Sequence, residues 1–204
     1  MIKNIIFDFD GVILDSIPVK AEAFRRLFQS YDQDIVNKFI DFHLVNGGMS
    51  RYLKIRYFFE QLLSQDISEQ KITQLAEKYS ELTKKELAQQ QYLIQDTLTF
   101  IKENHQKYNM HIASGAAEND LRFICDRLNL SQYFLSVMGS PQHKNDLVKS
   151  IVDNYQYKKD ETILIGDSVN DLEAAVANEI AFYGYNNPTL NTQKYIQTFT
   201  DCNL

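Results

Sequence analysis

Cysteine is nearly absent from this 204-residue chain. Cys125 and Cys202 stand alone and fit neither a metal-binding spacing nor a disulfide framework. That excludes a disulfide-stapled fold and makes a reducing compartment, the cytoplasm, the expected location. Long hydrophobic runs are also missing. No apolar stretch approaches the ~20 residues of a membrane span. The apolar start from Ile2 to Phe7 is broken by Lys3 and Asn4 and followed by acids, unlike a signal peptide. Basic charge does not predominate, since 21 Lys and Arg against 27 Asp and Glu leave a net charge of -6. This speaks against a nucleic-acid partner, whose phosphate backbone wants a basic surface. It leaves room for a phosphorylated small molecule, which a few local cations can hold. Repeats and low-complexity tracts are absent as well.

What is present is an ordinary globular balance, 44% hydrophobic and 24% charged, enough for a real core. The length suits one large domain or a domain with a smaller one inserted. Short apolar runs end abruptly in polar residues: Ile2 to Phe9 at acids and Gly11, Met110 to Ala113 at Ser114-Gly115, Phe134 to Met138 at Gly139-Ser140-Pro141, and Thr162 to Ile165 at Gly166-Asp167. Each reads as a buried parallel strand meeting a loop. Helical spacing follows the later runs, as in Leu121, Ile124, Cys125 and Leu128, and in Val148, Ile151, Val152 and Tyr155. Alternating strands and helices predict an α/β fold, a doubly wound parallel sheet of the Rossmann type. In such sheets ligands bind at the carboxyl ends of the strands, where these polar residues lie.

The strand ends are about one strand-helix unit apart except between Asp8 and Ser114, which more than a hundred residues separate. The excess carries helical stripes: Val19, Ala23, Phe24, Leu27 and Phe28, then Ile55, Phe58, Phe59, Leu62 and Leu63, then Ile72, Leu75, Ala76, Tyr79 and Leu82. Only Phe39 to Val45 gives any strand signal, and it reads equally as helix. The expected organisation is a catalytic core of residues 1–16 and 89–204 with a helical cap, residues 17–88, inserted after the first strand.

Asp8-Phe9-Asp10-Gly11 places two carboxylates on alternate residues at a strand end, both facing one site. A carboxylate is a competent nucleophile towards phosphorus when a metal neutralises the incoming charge. A second acid can protonate the leaving oxygen. Gly166-Asp167-Ser168-Val169-Asn170-Asp171 brings two more acids to another strand end. Four converging acids repel one another unless a cation joins them, and magnesium prefers oxygen ligands of this kind. A helix cap at Asp167 or Asn170 is compatible with that role. Ser114-Gly115 offers a hydroxyl and backbone amides to a phosphoryl oxygen, and its strand is expected to end at a helix N-terminus. Lys144 is placed to neutralise the phosphoryl group. Taken singly these signals are weak; their order along the chain, each at a strand end, is specific.

That ordered set resembles the haloacid dehalogenase superfamily, in its phosphatase form with a helical cap after the first strand. The resemblance covers nearly the whole chain. It implies that Asp8 is nucleophile and metal ligand, that Asp10 is the acid/base whose backbone carbonyl also meets Mg2+, and that Ser114, Gly115 and Lys144 hold the transferring phosphoryl group. Asp167 would be the third protein ligand, with Asp171 in direct or water-mediated support. Asn145 departs from the proline that many relatives carry after the lysine, and His143 is the fallback cation. Gly47-Gly48-Met49-Ser50-Arg51 resembles the specificity loop of β-phosphoglucomutase. Arg51 is therefore a candidate for gripping a phosphate or carboxylate of the substrate, against a plain surface role. Lys20 stands where mutase-like relatives carry a histidine, a second candidate substrate contact that weakens a mutase reading. His43, His105 and His111 lack paired metal spacing and read as hydrogen-bonded or surface residues.

The expected activity is magnesium-dependent hydrolysis of a small phosphate monoester, a sugar phosphate or a phosphorylated acid. The rivals are a phosphosugar mutase and, from another class, a phospho-acceptor signalling or binding module. Asp10 counts against a dehalogenase or a phosphonate hydrolase, neither of which requires an acid there.

Overall fold

The structure, a computed structural model, describes residues 1–191, 194–200, 202 and 204. Six strands, β1 (Asn4–Phe7), β2 (Asn109–Ala117), β3 (Ser136–Ser140), β4 (Thr162–Gly166), β5 (Ala181–Tyr185) and β6 (Lys194–Ile196), form one sheet in the order β3-β2-β1-β4-β5-β6. Every pairing is parallel, with Phe7 opposite Ile112 on one side and Ile165 on the other. This is the doubly wound arrangement expected from the sequence. The strand order reverses next to β1, so the crevice for a ligand opens beyond the carboxyl ends of β1 and β4.

Alternation along the strands divides the core into two layers. Ile5, Phe7, Ile112, Ile163 and Ile165 face one cluster, built with Leu98 and Ile101 of α5 (Gln95–Asn104) and Leu121 and Ile124 of α6 (Glu118–Arg127). Ile6, Ala113 and Leu164 face the other, built with Leu147 and Ile151 of α7 (Lys144–Asn154) and Ala174 and Ala175 of α8 (Val169–Ala177). The strands are apolar on both faces because helices cover both.

Between β1 and β2 the chain forms α1 (Ile17–Leu27), α2 (Gln33–Val45), α3 (Arg51–Tyr57) with a π-helical turn from Phe58 to Leu62, and α4 (Glu69–Leu87). The ambiguous Phe39-to-Val45 stretch belongs to α2, started by Asp32, whose side chain accepts from the Asp34 and Ile35 amides. These helices have their own hydrophobic cluster, centred on Phe24, Phe28, Phe39, Phe58 and Tyr79. Phe28 and Phe58 stack with centroids 3.8 Å apart, and Phe39 meets both edge-on. α4 packs on α6, and α3 touches β2, which brings this layer over the strand ends.

Some strand ends differ from the expected ones. β1 is shorter than the apolar run, because Asp8 and Phe9 already turn out of the sheet, although the Asp8 amide still donates to Ile165 O at 2.9 Å. β3 extends to Ser140, and β2 runs past Ser114 to Ala117 through a register shift between Ala113 and Ala117. Ser114 therefore lies in an irregular strand end, four residues before α6 begins, rather than at a helix N-terminus.

A separate aromatic cluster implies that the insertion loosens as a unit. Phe58→Ala should cost about 3–5 kcal/mol. Hydrogen exchange should then rise across α1 to α4 well before it rises in β1 and β4. Equal loss of protection everywhere would mean that insertion and sheet open together.

Candidate active site

The tight turn after β1 is made by Gly11, whose φ of +77° suits glycine alone and whose missing side chain leaves room for Asp167: a Cβ there would lie 2.0 Å from Asp167 Oδ2. Asp8 and Asp167 leave adjacent strands, and with Asp171 they bring carboxylate oxygens within 4.8 Å of one another. All three are buried. Lys144 Nζ, 4% exposed, donates to Asp8 Oδ1 at 2.7 Å and to Asp171 Oδ1. Asp171 Oδ2 accepts from the Ser168 amide and hydroxyl at 3.0 and 2.6 Å, a reciprocal cap on α8. Both oxygens of Asp171 are thus committed. Asp8 Oδ2 and Asp167 Oδ1 are buried with no partner.

Those two oxygens decide whether a cation suits the site. Three carboxylates and one ammonium leave two negative charges in a pocket shut off from water. Burial, reinforced by the Asp171 charge, pushes the Asp8 carboxyl up to about 7 against the pull of Lys144. Burial and Asp8 hold Asp167 well above the usual carboxylate range. Lys144 moves the other way: burial opposes its charge, but Asp171 and Asp8 outweigh burial and raise it. A divalent, oxygen-loving ion between Asp8 and Asp167 would restore neutrality and give both orphaned oxygens a partner. The donor set matches magnesium.

Asp10 is outside that cluster. Its Oδ1 accepts from Ser16 Oγ at 2.5 Å and its Oδ2 from Lys20 Nζ at 2.5 Å. Burial alone would raise its pKa, yet the Lys20 charge and the Lys20 and Ser16 hydrogen bonds outweigh burial and lower it. Ser114 is fully buried, and its Oγ accepts from the Ala116 amide at 3.1 Å. Gly115 is in contact with the insertion, where a Cβ would lie 2.2 Å from Gly48 O. Gly48 also approaches Lys144 Nζ and Ser168 Oγ. The Gly47-Gly48 loop thus covers the Ser114-Gly115 strand end and Lys144 in a closed arrangement.

Of the residues expected from the sequence, Asp8, Asp167, Asp171 and Lys144 are brought together, Asp10 is held by Lys20 and Ser16 instead of joining the acid cluster, and two others differ. His143 is not a spare cation; it caps α7, Nδ1 accepting from the Asn145 amide at 3.3 Å. Arg51 is not a surface side chain: its Nη1 is taken by protein partners, and it also lines the cavity beside Asp10 and Lys20. It is 5% exposed, its Nη1 donates to Asp120 Oδ2 at 2.7 Å and Ser80 Oγ at 2.6 Å, and its guanidinium lies over the Tyr79 ring. Asp120 sits in the first turn of α6, so this pair ties the insertion to the core. Sequence reasoning missed Asn186 and Asn187, whose side-chain amides donate to Gly11 O at 3.0 Å and Asp167 O at 2.7 Å and brace the two acid-bearing loops. Their signal was the polar end of β5, a strand not recognised. Also missed was Lys54, one helical turn from Arg51 and buried.

Residues 5–185 match the family model for haloacid dehalogenase-like hydrolases. The chain belongs to that family. A phosphoglycolate phosphatase of Vibrio parahaemolyticus is 26% identical, over 91% of this chain and 86% of its own length. A phosphorylated carbohydrates phosphatase of Thermotoga maritima is 24% identical, over 85% and 80%. The crystal structure of a β-phosphoglucomutase from Clostridium difficile superimposes with a TM-score of 0.81 at 16% identity, covering 100% of this chain and 94% of that one. At that identity the superposition shows this hydrolase's fold alone.

Arg51→Ala should act through the tie between insertion and core. Leaving Asp120 buried without its partner should cost about 3–5 kcal/mol in chemical unfolding. Turnover should fall by a similar factor for large and small substrates. A loss confined to one substrate would restore Arg51 as a substrate contact.

Proposed function

We propose that this chain is a magnesium-dependent phosphatase that hydrolyses a small phosphate monoester through an aspartyl-phosphate on Asp8. The observation that carries this is the buried Asp8–Asp167–Asp171 cluster, with its two unpartnered carboxylate oxygens on one side and the Lys144 ammonium on the other. Asp8, Asp167 and the Asp10 carbonyl would hold the ion, with Asp171 in support through water because its own oxygens are engaged. When bound, magnesium would neutralise the approach of an anionic nucleophile to a phosphate dianion.

The chain's own residues supply the rest. Asp8 attacks phosphorus, forming the acyl-phosphate bond as the bond from phosphorus to the alcohol oxygen breaks. Lys144, with the hydroxyl and amides of Ser114-Gly115, balances the charge on the transferring group. Asp10 gives the leaving alcohol its proton, then takes one from the water that cleaves the acyl phosphate, which releases inorganic phosphate and restores Asp8. Held ionised by Lys20 and Ser16, Asp10 is set for the second half of the cycle; for the first half it takes up a proton from solvent or from the substrate monoanion before the alcohol leaves. The Gly47-Gly48 loop must lift to admit substrate and, once closed again, keeps water away during the first step. A phosphorylated acid or a phosphorylated carbohydrate is the substrate class, which the names of two relatives support, and the cytoplasm is the compartment that the sparse cysteines favour.

The test is turnover of a panel of phosphate monoesters by purified protein. Asp8→Asn should lose roughly 10³-fold or more, and a chelator should abolish activity until magnesium returns. Near-normal turnover in folded Asp8→Asn, or full activity in excess chelator, refutes the reading. Inorganic phosphate as the product from a phosphosugar identifies a hydrolase, an isomeric phosphosugar a mutase. Asp10→Asn should cost more with an alkyl phosphate than with nitrophenyl phosphate, whose leaving group needs little protonation. Equal losses would assign Asp10 to the metal rather than to proton transfer.

A further inference from the structure

The buried cations near the site have anions beside them, with one exception. Lys144 meets Asp8 and Asp171, Arg51 meets Asp120, and Lys20 meets Asp10. Lys54 on α3 is 3% exposed and makes no ion pair among the described residues. Its Nζ is held by His43 Nδ1 at 2.8 Å and by Gly47 O at 3.4 Å. Taking an ammonium out of water is unfavourable unless an anion replaces the lost hydration. Here burial, with repulsion from Lys20, pushes the amine down to about 7; Asp10, Asp167 and Asp8 offset this only from farther off.

His43 makes the same point independently. It is 4% exposed, and its Nε2 is buried with no partner. Burial and Lys54 keep the ring neutral. Because the Lys54 ammonium donates to Nδ1, the ring proton sits on Nε2, a donor with nothing to donate to. An uncompensated cation and an orphaned donor form one receptor for an anion.

Its place in the fold says which part of a substrate arrives there. Lys54, His43 and Gly47 share a cavity of about 20 Å³ with Asp10, Lys20, Gly115 and the Asp120-paired Arg51. A neighbouring cavity of about 120 Å³ shares Asp10, Lys20, His43 and Gly47 and extends to Asp167 and Ser168. About 10–15 Å³ of such space admits one water, so the first holds a group of one or two non-hydrogen atoms and the second a small group beside it. They lie around Asp10, the acid/base, and so on the leaving-group side. A second phosphate would call for more charge than Lys54 supplies, and the Arg51 charge beside it is balanced by Asp120.

We propose that Lys54, supported by His43, is the specificity-determining residue of this site and receives a carboxylate on the leaving group, so that the substrate is a small phosphorylated hydroxy acid. This rests on the phosphatase reading above and narrows it.

The experiment compares 2-phosphoglycolate with 2-hydroxyethyl phosphate, which differ by a carboxylate against a hydroxymethyl group, on the full chain with magnesium. The wild type should prefer the acid. Lys54→Met should lower the ratio of the two kcat/KM values by roughly tenfold or more, chiefly through KM for the acid. Its melting temperature should equal or exceed that of the wild type, because an uncompensated buried charge has been removed. A ratio within about twofold of the wild type, or a clear fall in melting temperature with equal losses on both esters, overturns the proposal. Lys54→Gln serves if the methionine variant does not fold; failure of both would make the lysine structural and also overturn it. Wild-type enzyme that hydrolyses both esters without preference sinks this proposal and leaves the phosphatase reading intact. An enzyme that hydrolyses no monoester sinks that reading itself.

Discussion

Three carboxylates held against one ammonium at the carboxyl edge of the sheet set the terms for the rest of this molecule. Asp8, Asp167 and Asp171 are drawn together by β1, β4 and the start of α8, and Lys144 links two of them. Such a group cannot be brought out of water without rigid walls, because each charge loses hydration that only fixed partners replace. The walls are the glycine turn at Gly11, the Ser168 cap, and the side chains of Asn186 and Asn187 on the two loop carbonyls. What they leave unpaired, one oxygen each on Asp8 and Asp167, is where a cation belongs.

The insertion answers the same constraint from above. Its aromatic cluster makes it a packed layer, and the Arg51–Asp120 pair and the Gly48–Gly115 contact seat it on the core. Gly47-Gly48 crosses Gly115, Ser168 and Lys144, while Lys54 and His43 stand beside Asp10 and Lys20. Among the described residues three ion pairs cross between insertion and core, Arg51–Asp120, Lys84–Asp120 and Lys20–Asp10, beside the glycine contact.

The fold was legible because its signals are local. Ile5 to Phe7 and Ile163 to Ile165 are apolar on both faces, as a covered parallel strand requires, and the long gap before Ser114 pointed to the helices between β1 and β2. β5 and β6 escaped notice because Ala181–Tyr185 carries tyrosines and Gly184 in place of an aliphatic run, and Lys194–Ile196 has three residues with the lysine exposed. Ser114 was assigned to a helix start because the irregular end of β2 depends on its pairing with β3, which no local pattern encodes.

Among the candidate site residues, the meeting of Asp8, Lys144, Asp167 and Asp171 was foreseeable from the sequence by itself, because a parallel sheet delivers the end of every strand to one edge and their order therefore carries their place. Arg51, Lys54 and His43 were decided only by tertiary structure. All three lie in the helical insertion, where residue type says that a charge exists but not what it faces. Arg51 meets an acid sixty-nine positions away, and Lys54 meets none. Whether a buried cation becomes a tie or a receptor depends on that long-range partner, and only the folded chain supplies or withholds it.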